Sequence, residues 1–386
     1  MQPTTKLFEP FAFARGVTLR NRVVMAPMTT WSANDDRTIS DQEDAYYRRR
    51  VKGVSLVITG CTHVTPSGIG FTDEFASYDD RFIPSLRRLA DAAKSGGAPA
   101  ILQIFHAGNK AAPDLVPNGE VVGASDDLVE LGPFSHGGTP PRALTEAEIL
   151  AIVADFGQAT RRAIEAGFDG VELHGAHGFL IQNFLSPHYN RRTDAWGGAL
   201  ENRLRFPLAA VREVRRVIDE HARRPFLLGY RVSPEEPEED GLRIDDTYVL
   251  LDRIIEAGVD YVHASLWTLL EAKPIGATGD KTTAERIVEQ VAGRVPVIAA
   301  GQIRTPDQAE RALALGLSLV AVGQGLVMNP DWVELARRGR AAEIATTLNP
   351  AKVSRISLPA KLWAVIQATA GWFAIDGVRE PAASEA

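Results

Sequence analysis

Two histidines three residues apart, His174 and His177, arrive where a short expected strand, 171–173, stops. At that spacing both rings can face one ligand. A zinc ion is one candidate, but a tight third ligand is not evident and the pair alone is a weak metal signal. Arg231 ends an apolar run, 226–231, where an unpaired guanidinium is costly, so it should face an anion or a polar ligand. Other small or polar residues fall at the same kind of position. Ala26, Pro27, Met28 and Thr29 close a first run, with Trp31 just beyond; Gly60 and Cys61 close a second, and Gln103 and His106 a third. Gly301 and Gly323 close the last two runs, where a glycine turn leading into a helix offers backbone N–H groups to a phosphate. Each has a plainer reading: a strand-end histidine as a hydrogen-bonded structural residue, the glycines as turns, and Glu172 as the structural partner of an arginine. The charged run Arg191, Arg192, Asp194, Glu201 and Arg203 reads as a salt-bridged anchor rather than as chemistry.

The elements that must position these residues recur as a helix, a helix-ending glycine and a short apolar strand. Strands are expected at 22–27, 55–60, 100–105, 170–173, 226–231, 261–265, 295–300 and 319–323. Glycines at 53, 97, 167, 258, 293 and 316 precede most of them, where a left-handed helix terminus is cheap only for glycine. Nearly continuous apolar strands suit a parallel sheet buried on both faces. Helices are expected at 86–94, 146–166, 201–220, 246–257 and 307–315. Ser40 with Glu43, and Thr145 with Glu148, fit capping boxes, and Thr305 before Pro306 fits an N-cap. Eight strands alternating with helices predict an α/β fold, a (β/α)8 TIM barrel with its chemistry at the carboxyl ends of the strands. A doubly wound sheet would want a GxGxxG turn after an early strand, and none is present.

A single domain over 1–386 is expected, with residues 1–21 as an N-terminal hairpin capping the barrel bottom. Residues 107–144 form a long loop after the third strand, and loops of that length are usually functional or disordered. The C-terminal extension, 350–386, carries Trp363, Trp372 and Phe373 and is expected as a helix on the barrel's outside or at a subunit interface. Lys and Arg number 42 against 49 Asp and Glu, a net charge of −7 mixed along the chain, which argues against nucleic acid or an acidic membrane as main partner. The single cysteine, Cys61, excludes an internal disulfide and four-thiolate metal sites. Residues 1–10 lack the apolar core of a signal peptide and no run is long enough to span a membrane, so the cytoplasm is the expected location.

Longer motifs are more specific: MAPMTT at 25–30, ILQIFHAGNK at 101–110, GFDGVELHGAHGFLIQNFLSPHYNRRTDAWGGALENR at 167–203, YRVSPEE at 230–236, VIAAGQI at 297–303 and VAVGQGLVMNP at 320–330. In these, and in their order along almost the whole chain, the protein resembles the Old Yellow Enzyme family of FMN-dependent NAD(P)H oxidoreductases, in its bacterial NADH-dependent flavin oxidoreductase branch. The resemblance implies an FMN enzyme that takes hydride from NADH or NADPH and reduces a small electron-poor acceptor: an α,β-unsaturated carbonyl, a quinone or a nitro compound. It implies that Ala26, Pro27 and Met28 line the flavin edge, Thr29 bonds flavin O4, Gly60 leaves room for the ring and Gln103 binds the pyrimidine edge. Arg231 would sit near N1 and O2, and Gly301, Gly323 and the adjoining Gln324 would lie at the phosphate. His174 and His177 would bind the acceptor oxygen, in a pocket lined by Trp31 and Phe179.

Three departures from the family's pattern stand out. Phe179 replaces the usual tyrosine proton donor, which leaves water or a hydroxyl such as that of Tyr189. Gln324 replaces an arginine near the phosphate, which shifts that task to backbone amides and Arg304. Asn109 replaces a further arginine. Two rival readings are a flavin-binding protein of weak turnover, which a missing proton donor favours, and a phosphate-binding barrel isomerase or aldolase, which would want a lysine or paired carboxylates at strand ends. A homo-oligomer would be compatible with the C-terminal extension.

Overall fold

The structure, a computed structural model, describes residues 5–126 and 139–378. Eight parallel strands close into a barrel: β1 (Val23–Met25), β2 (Leu56–His63), β3 (Ala100–Phe105), β4 (Gly170–Gly175), β5 (Leu227–Val232), β6 (Tyr261–Ser265), β7 (Val297–Ala300) and β8 (Leu319–Val322). Pairing follows chain order, and Val320 opposite Val23 closes the ring. Helices Asp41–Arg50, Ile83–Lys94, Glu146–Ala166, Arg205–His221, Ile244–Glu256, Thr283–Val291 and Pro306–Ala314 fill the connections. The expected TIM barrel is the fold.

Local chemistry explains most boundaries and a few surprises. The helix Glu146–Ala166 begins on a reciprocal Thr145–Glu148 capping box and ends on Gly167 at φ 90°. Gly97, Gly258, Gly293 and Gly316 also take positive φ. Gly53 does not; a Cβ there would lie 2.4 Å from the Val333 Cβ, so close packing of two elements demands the glycine. Ser40 accepts the Glu43 N–H at 3.2 Å, but the Glu43 carboxylate accepts from the buried Thr30 hydroxyl, so this box is only half formed. β2 runs three residues beyond its expected end because its register shifts between Ile58 and Cys61, a bulge that lets the strand resume after Gly60. The helix Thr283–Val291, opened by a Thr282–Glu285 box, is an addition to the expected set.

The barrel interior is layered. Its lower layer is apolar, with Val24, Leu56, Ile58, Ile101, Leu227, Ile298 and Leu319 in one buried cluster. The N-terminal hairpin, Phe11–Ala12 against Thr18–Leu19, adds Phe13 and Leu19 to that cluster and so seals this end. Above it lies a polar layer of Gln103, Glu172, Tyr261 and His263, all buried. Gly229 makes this layer possible, since a Cβ there would lie 2.1 Å from the Tyr261 ring.

The C-terminal segment packs against the outer helix Asp41–Arg50, where Arg50 Nη2 donates to the Ile356 carbonyl at 2.8 Å. Its helix, Ala360–Ala368, docks on the first turn of that helix and on the loop after β2: the Ala360 amide donates to Gln42 Oε1 at 2.8 Å, and Lys361 pairs with Asp73 at 2.6 Å. The chain then carries Trp372 to the mouth, 5.8 Å from the Trp31 ring. Among the described residues no helix is long and apolar enough to cross a membrane.

Candidate functional site

Strand register sets which side chains share a row. Gln103 lies opposite Cys61 on one side and Glu172 on the other, and one step higher Arg231 lies opposite both His174 and His263. The Glu172 carboxylate accepts from Gln103 Nε2 at 2.7 Å, from the Tyr261 hydroxyl at 3.0 Å and from His263 Nδ1 at 3.0 Å. Burial pushes its pKa up, but His263, the nearby Arg231 and these bonds outweigh burial and hold it below the usual carboxylate range. Glu172 is therefore a buried anion with three donors around it. Because Gln103 donates to it, the amide oxygen of Gln103 is left as an acceptor. His263 is pushed below its ordinary pKa by burial, and its Nε2 has no partner among the described residues.

Arg231 stands over this layer. Its Nη2 donates to Ser265 Oγ at 3.0 Å, and its buried Nε–H has no partner among the described residues. Burial lowers its pKa, yet a guanidinium stays protonated in proteins. Beside it, the His174 and His177 rings lie 5.0 Å apart at 74°. His174 is buried, whereas His177 is exposed at the mouth. His177 takes φ 60°, and its backbone is pinned from both sides: its N–H donates to Ser233 Oγ at 3.0 Å, and Lys110 Nζ donates to its carbonyl at 2.6 Å. Both imidazoles are held well below their ordinary pKa. Burial is the first cause in each; the next are the His177 ring and Arg231 for His174, and Arg231 and Lys110 for His177. Burial and its cationic neighbours thus favour the neutral form of His174, and Arg231 and Lys110 disfavour a further positive charge on the exposed His177.

Aromatic rings wall the pair. Phe179 stands edge-on to His174 at 4.8 Å and lies 4.9 Å from Phe105 and 6.0 Å from Phe71. Phe71 meets Trp31 at 5.3 Å, and Trp31, at φ 48°, meets Trp372. At the other end of the site, Gly323 caps the short helix Gln324–Met328, and a Cβ on Gly323 would lie 3.3 Å from Met28 Sδ. The Ala26 amide donates to the Val322 carbonyl at 3.1 Å, which carries Pro27 and Met28 past the end of β8. Thr29 Oγ1 lies 3.6 Å from the buried Cys61 Sγ. A Cβ on Gly60 would lie 2.6 Å from the Met28 carbonyl oxygen, and one on Gly301 would lie 2.7 Å from that of Leu266. The glycine at 60 is thus already required by the Met28 backbone. Gln324 accepts from Arg304 Nη2 at 3.2 Å and donates to the Trp372 carbonyl, while Arg304 Nε is buried without a partner among the described residues.

The expected residues therefore converge on the carboxyl ends of the strands. Others turn away. The Tyr189 hydroxyl donates to Glu238 Oε1 at 3.3 Å, and its ring stands edge-on to His188. His106 accepts the Gly108 amide at 3.0 Å over a ring packed on Gly68, which is its plainer structural reading. Arg192 and Arg203 anchor the loop after β4 by bonding backbone carbonyls of Ala124, Leu144, Leu185 and Gly198. Sequence reasoning missed Ser265, Lys110, Phe71 and Trp372. Ser265 carried a usable signal, since it is the polar residue that ends β6.

Residues 6–343 match the model of the NADH:flavin oxidoreductase / NADH oxidase family. Over 373 residues, 96% of this chain and 99% of the other, the protein is 46% identical to one from Bacillus subtilis (strain 168) named as a probable NADH-dependent flavin oxidoreductase, YqiG. It is 35% identical over 366 residues to the NADH:fumarate oxidoreductase of Klebsiella pneumoniae (strain 342), a longer protein of which it spans 39%. Morphinone reductase in complex with tetrahydroNAD superposes with a TM-score of 0.73 at 29% identity, over 87% of this chain and 91% of that one. The chain belongs to the NADH:flavin oxidoreductase / NADH oxidase family, the Old Yellow Enzyme family of FMN-dependent oxidoreductases.

Proposed function

We propose that this NAD(P)H-dependent flavin oxidoreductase reduces an acceptor whose oxygen is held by His174 and His177: an enone, a quinone or a nitro compound. One observation carries the reading: two imidazoles lie 5.0 Å apart at the barrel mouth, beside a fixed guanidinium and against an aromatic wall.

The residues present fit FMN. The orphaned Arg231 Nε–H and the free acceptor oxygen of Gln103 match the polar pyrimidine edge of a flavin, and the orphaned Arg304 Nε–H suits a phosphate near Gly301 and Gly323. When bound, FMN supplies the two-electron chemistry, accepting hydride from the nicotinamide and yielding it to the acceptor. Everything else falls to the chain. Ala26, Pro27, Met28 and Thr29 line the ring edge beside Gly60. Arg231 holds a positive charge where negative charge accumulates on reduction. His174 and His177 give hydrogen bonds to the acceptor oxygen and polarise it. Trp31, Phe71 and Phe179 exclude water and favour flat acceptors.

The test is a phenol such as p-hydroxybenzaldehyde added to the oxidised holoenzyme. A long-wavelength charge-transfer band is expected, and replacing both histidines by Ala should remove it while FMN stays bound. Loss of FMN in the double variant would instead make the pair structural.

A further inference from the structure

The hydrogen bonds around the histidine pair assign a proton to one nitrogen of each ring. Arg231 can only donate, so Ser265 Oγ accepts from its Nη2 at 3.0 Å. Ser265 has a single proton, and its other side-chain partner is His177 Nε2 at 2.7 Å. A hydroxyl oxygen can accept twice, but among the described residues His177 Nε2 is the one group placed to take the Ser265 proton, so His177 Nε2 accepts. A neutral ring whose Nε2 accepts carries its hydrogen on Nδ1. His174 is arranged the other way round: the Ala176 amide donates to its Nδ1 at 3.4 Å, which leaves the hydrogen on Nε2.

We infer that Ser265 is a positioning residue that holds His177 as the Nδ1–H tautomer, opposite to the Nε2–H tautomer of His174, so that the nitrogens left for a ligand are both donors. Neutral rings are what the surroundings favour. Arg231 from β5, Lys110 from the loop after β3 and His263 from β6 all act against a further positive charge on either ring. The inference deepens the proposed role of the pair and rests on it for the ligand, though not for the tautomers. Two donors and no acceptor select an oxygen that only accepts: a carbonyl, a quinone, a nitro group or a phenolate. An alcohol or a protonated acid would bring a hydrogen that neither ring can accept. The same serine oxygen also ties the acceptor site to the cation expected at the flavin.

The experiment uses the full-length, FMN-loaded protein labelled with ¹⁵N in its histidines, with His177 assigned by its absence from the His177→Ala spectrum. His177 is expected to show a pyrrole-type Nδ1 and a pyridine-type Nε2, and His174 the reverse. Ser265→Ala should turn His177 into a mixture of tautomers and weaken p-hydroxybenzaldehyde binding about ten-fold, equivalent to about 1.4 kcal/mol. Ser265→Thr, which keeps the hydroxyl, should restore both. A wild-type His177 protonated on Nε2, or a tautomer unmoved in Ser265→Ala, overturns the inference. Should Ser265→Ala fail to fold, the wild-type spectrum decides alone. If the tautomers are as assigned but p-hydroxybenzaldehyde leaves both histidines unshifted, the inference stands and the acceptor-binding role of the pair falls.

Discussion

Reducing an enone takes a hydride at the β carbon and a proton at the α carbon, and Phe179 has no proton to give. Its ring occupies the wall beside His174, and the Tyr189 hydroxyl is turned to Glu238 rather than offered as a substitute. General-acid assistance is worth about 10²–10⁴ in rate. Phe179→Tyr should therefore speed reoxidation by cyclohexenone by about 10²-fold, while quinone reduction, which needs no proton at carbon, changes little. Stopped-flow reoxidation with the two acceptors reads this directly, and equal rates in wild type and variant would place the donor elsewhere. Arg231 invites a different measurement. Its unpartnered Nε–H and buried charge should stabilise the reduced flavin, so Arg231→Met should lower the potential by roughly 30 mV for each 1.4 kcal/mol lost. A variant with wild-type potential and FMN affinity would remove Arg231 from the cofactor.

Among the elements, the helix Asp41–Arg50 ties the site to pH. Burial pushes the Glu43 carboxyl up to about 7, with its Thr30 bond opposing. The sign follows from the raised value: the folded state keeps a proton that the unfolded chain has released above its ordinary 4.5, so stability is lost as pH rises from 4.5 to 7. That loss is roughly 3 kcal/mol. Glu43→Gln, which cannot ionise, should escape it, and urea midpoints at pH 5 and pH 8 should diverge between variant and wild type. Parallel pH profiles would show that the carboxyl does not titrate in this window.

The same helix shows where local pattern stops being legible. Ser40 and Glu43 promise a closed box, but a tertiary partner, Thr30, takes the carboxylate. The helix 146–166 and the strands 100–105 and 261–265 are readable to the residue, because their caps, glycines and apolar runs are local. β2 is not, because its bulge exists only against β3. In the site, the rule that chemistry sits at strand ends reaches His174, His177, Gln103 and Arg231. Trp372 lies outside any such rule, since contact with a residue at the far end of the chain leaves no local trace.

Across the whole molecule, the barrel and the C-terminal segment are one proposed unit, although the family match stops at residue 343. Gln324, standing where an arginine was expected, spends its amide on the Trp372 carbonyl, and Trp372 backs Trp31. Trp372→Ala should cost roughly 1 kcal/mol from the lost ring pair and speed the release of FMN, read by the rise in free-flavin fluorescence after dilution. Melting followed by circular dichroism and by flavin release should coincide in a single transition in the wild type. A variant with unchanged FMN release would make the segment a bystander to the site. The arrangement also has a temporal side. Trp31 leaves the ribosome more than 300 residues before Trp372, and at ordinary translation rates of about 5–20 residues per second this leaves an interval of roughly 20 to 70 seconds. Over the last 48 residues of that interval, after Gln324, the nascent chain has its flavin-lining residues in hand but not the tryptophan that backs Trp31, so the vitamin-derived cofactor meets a more open mouth before synthesis is finished.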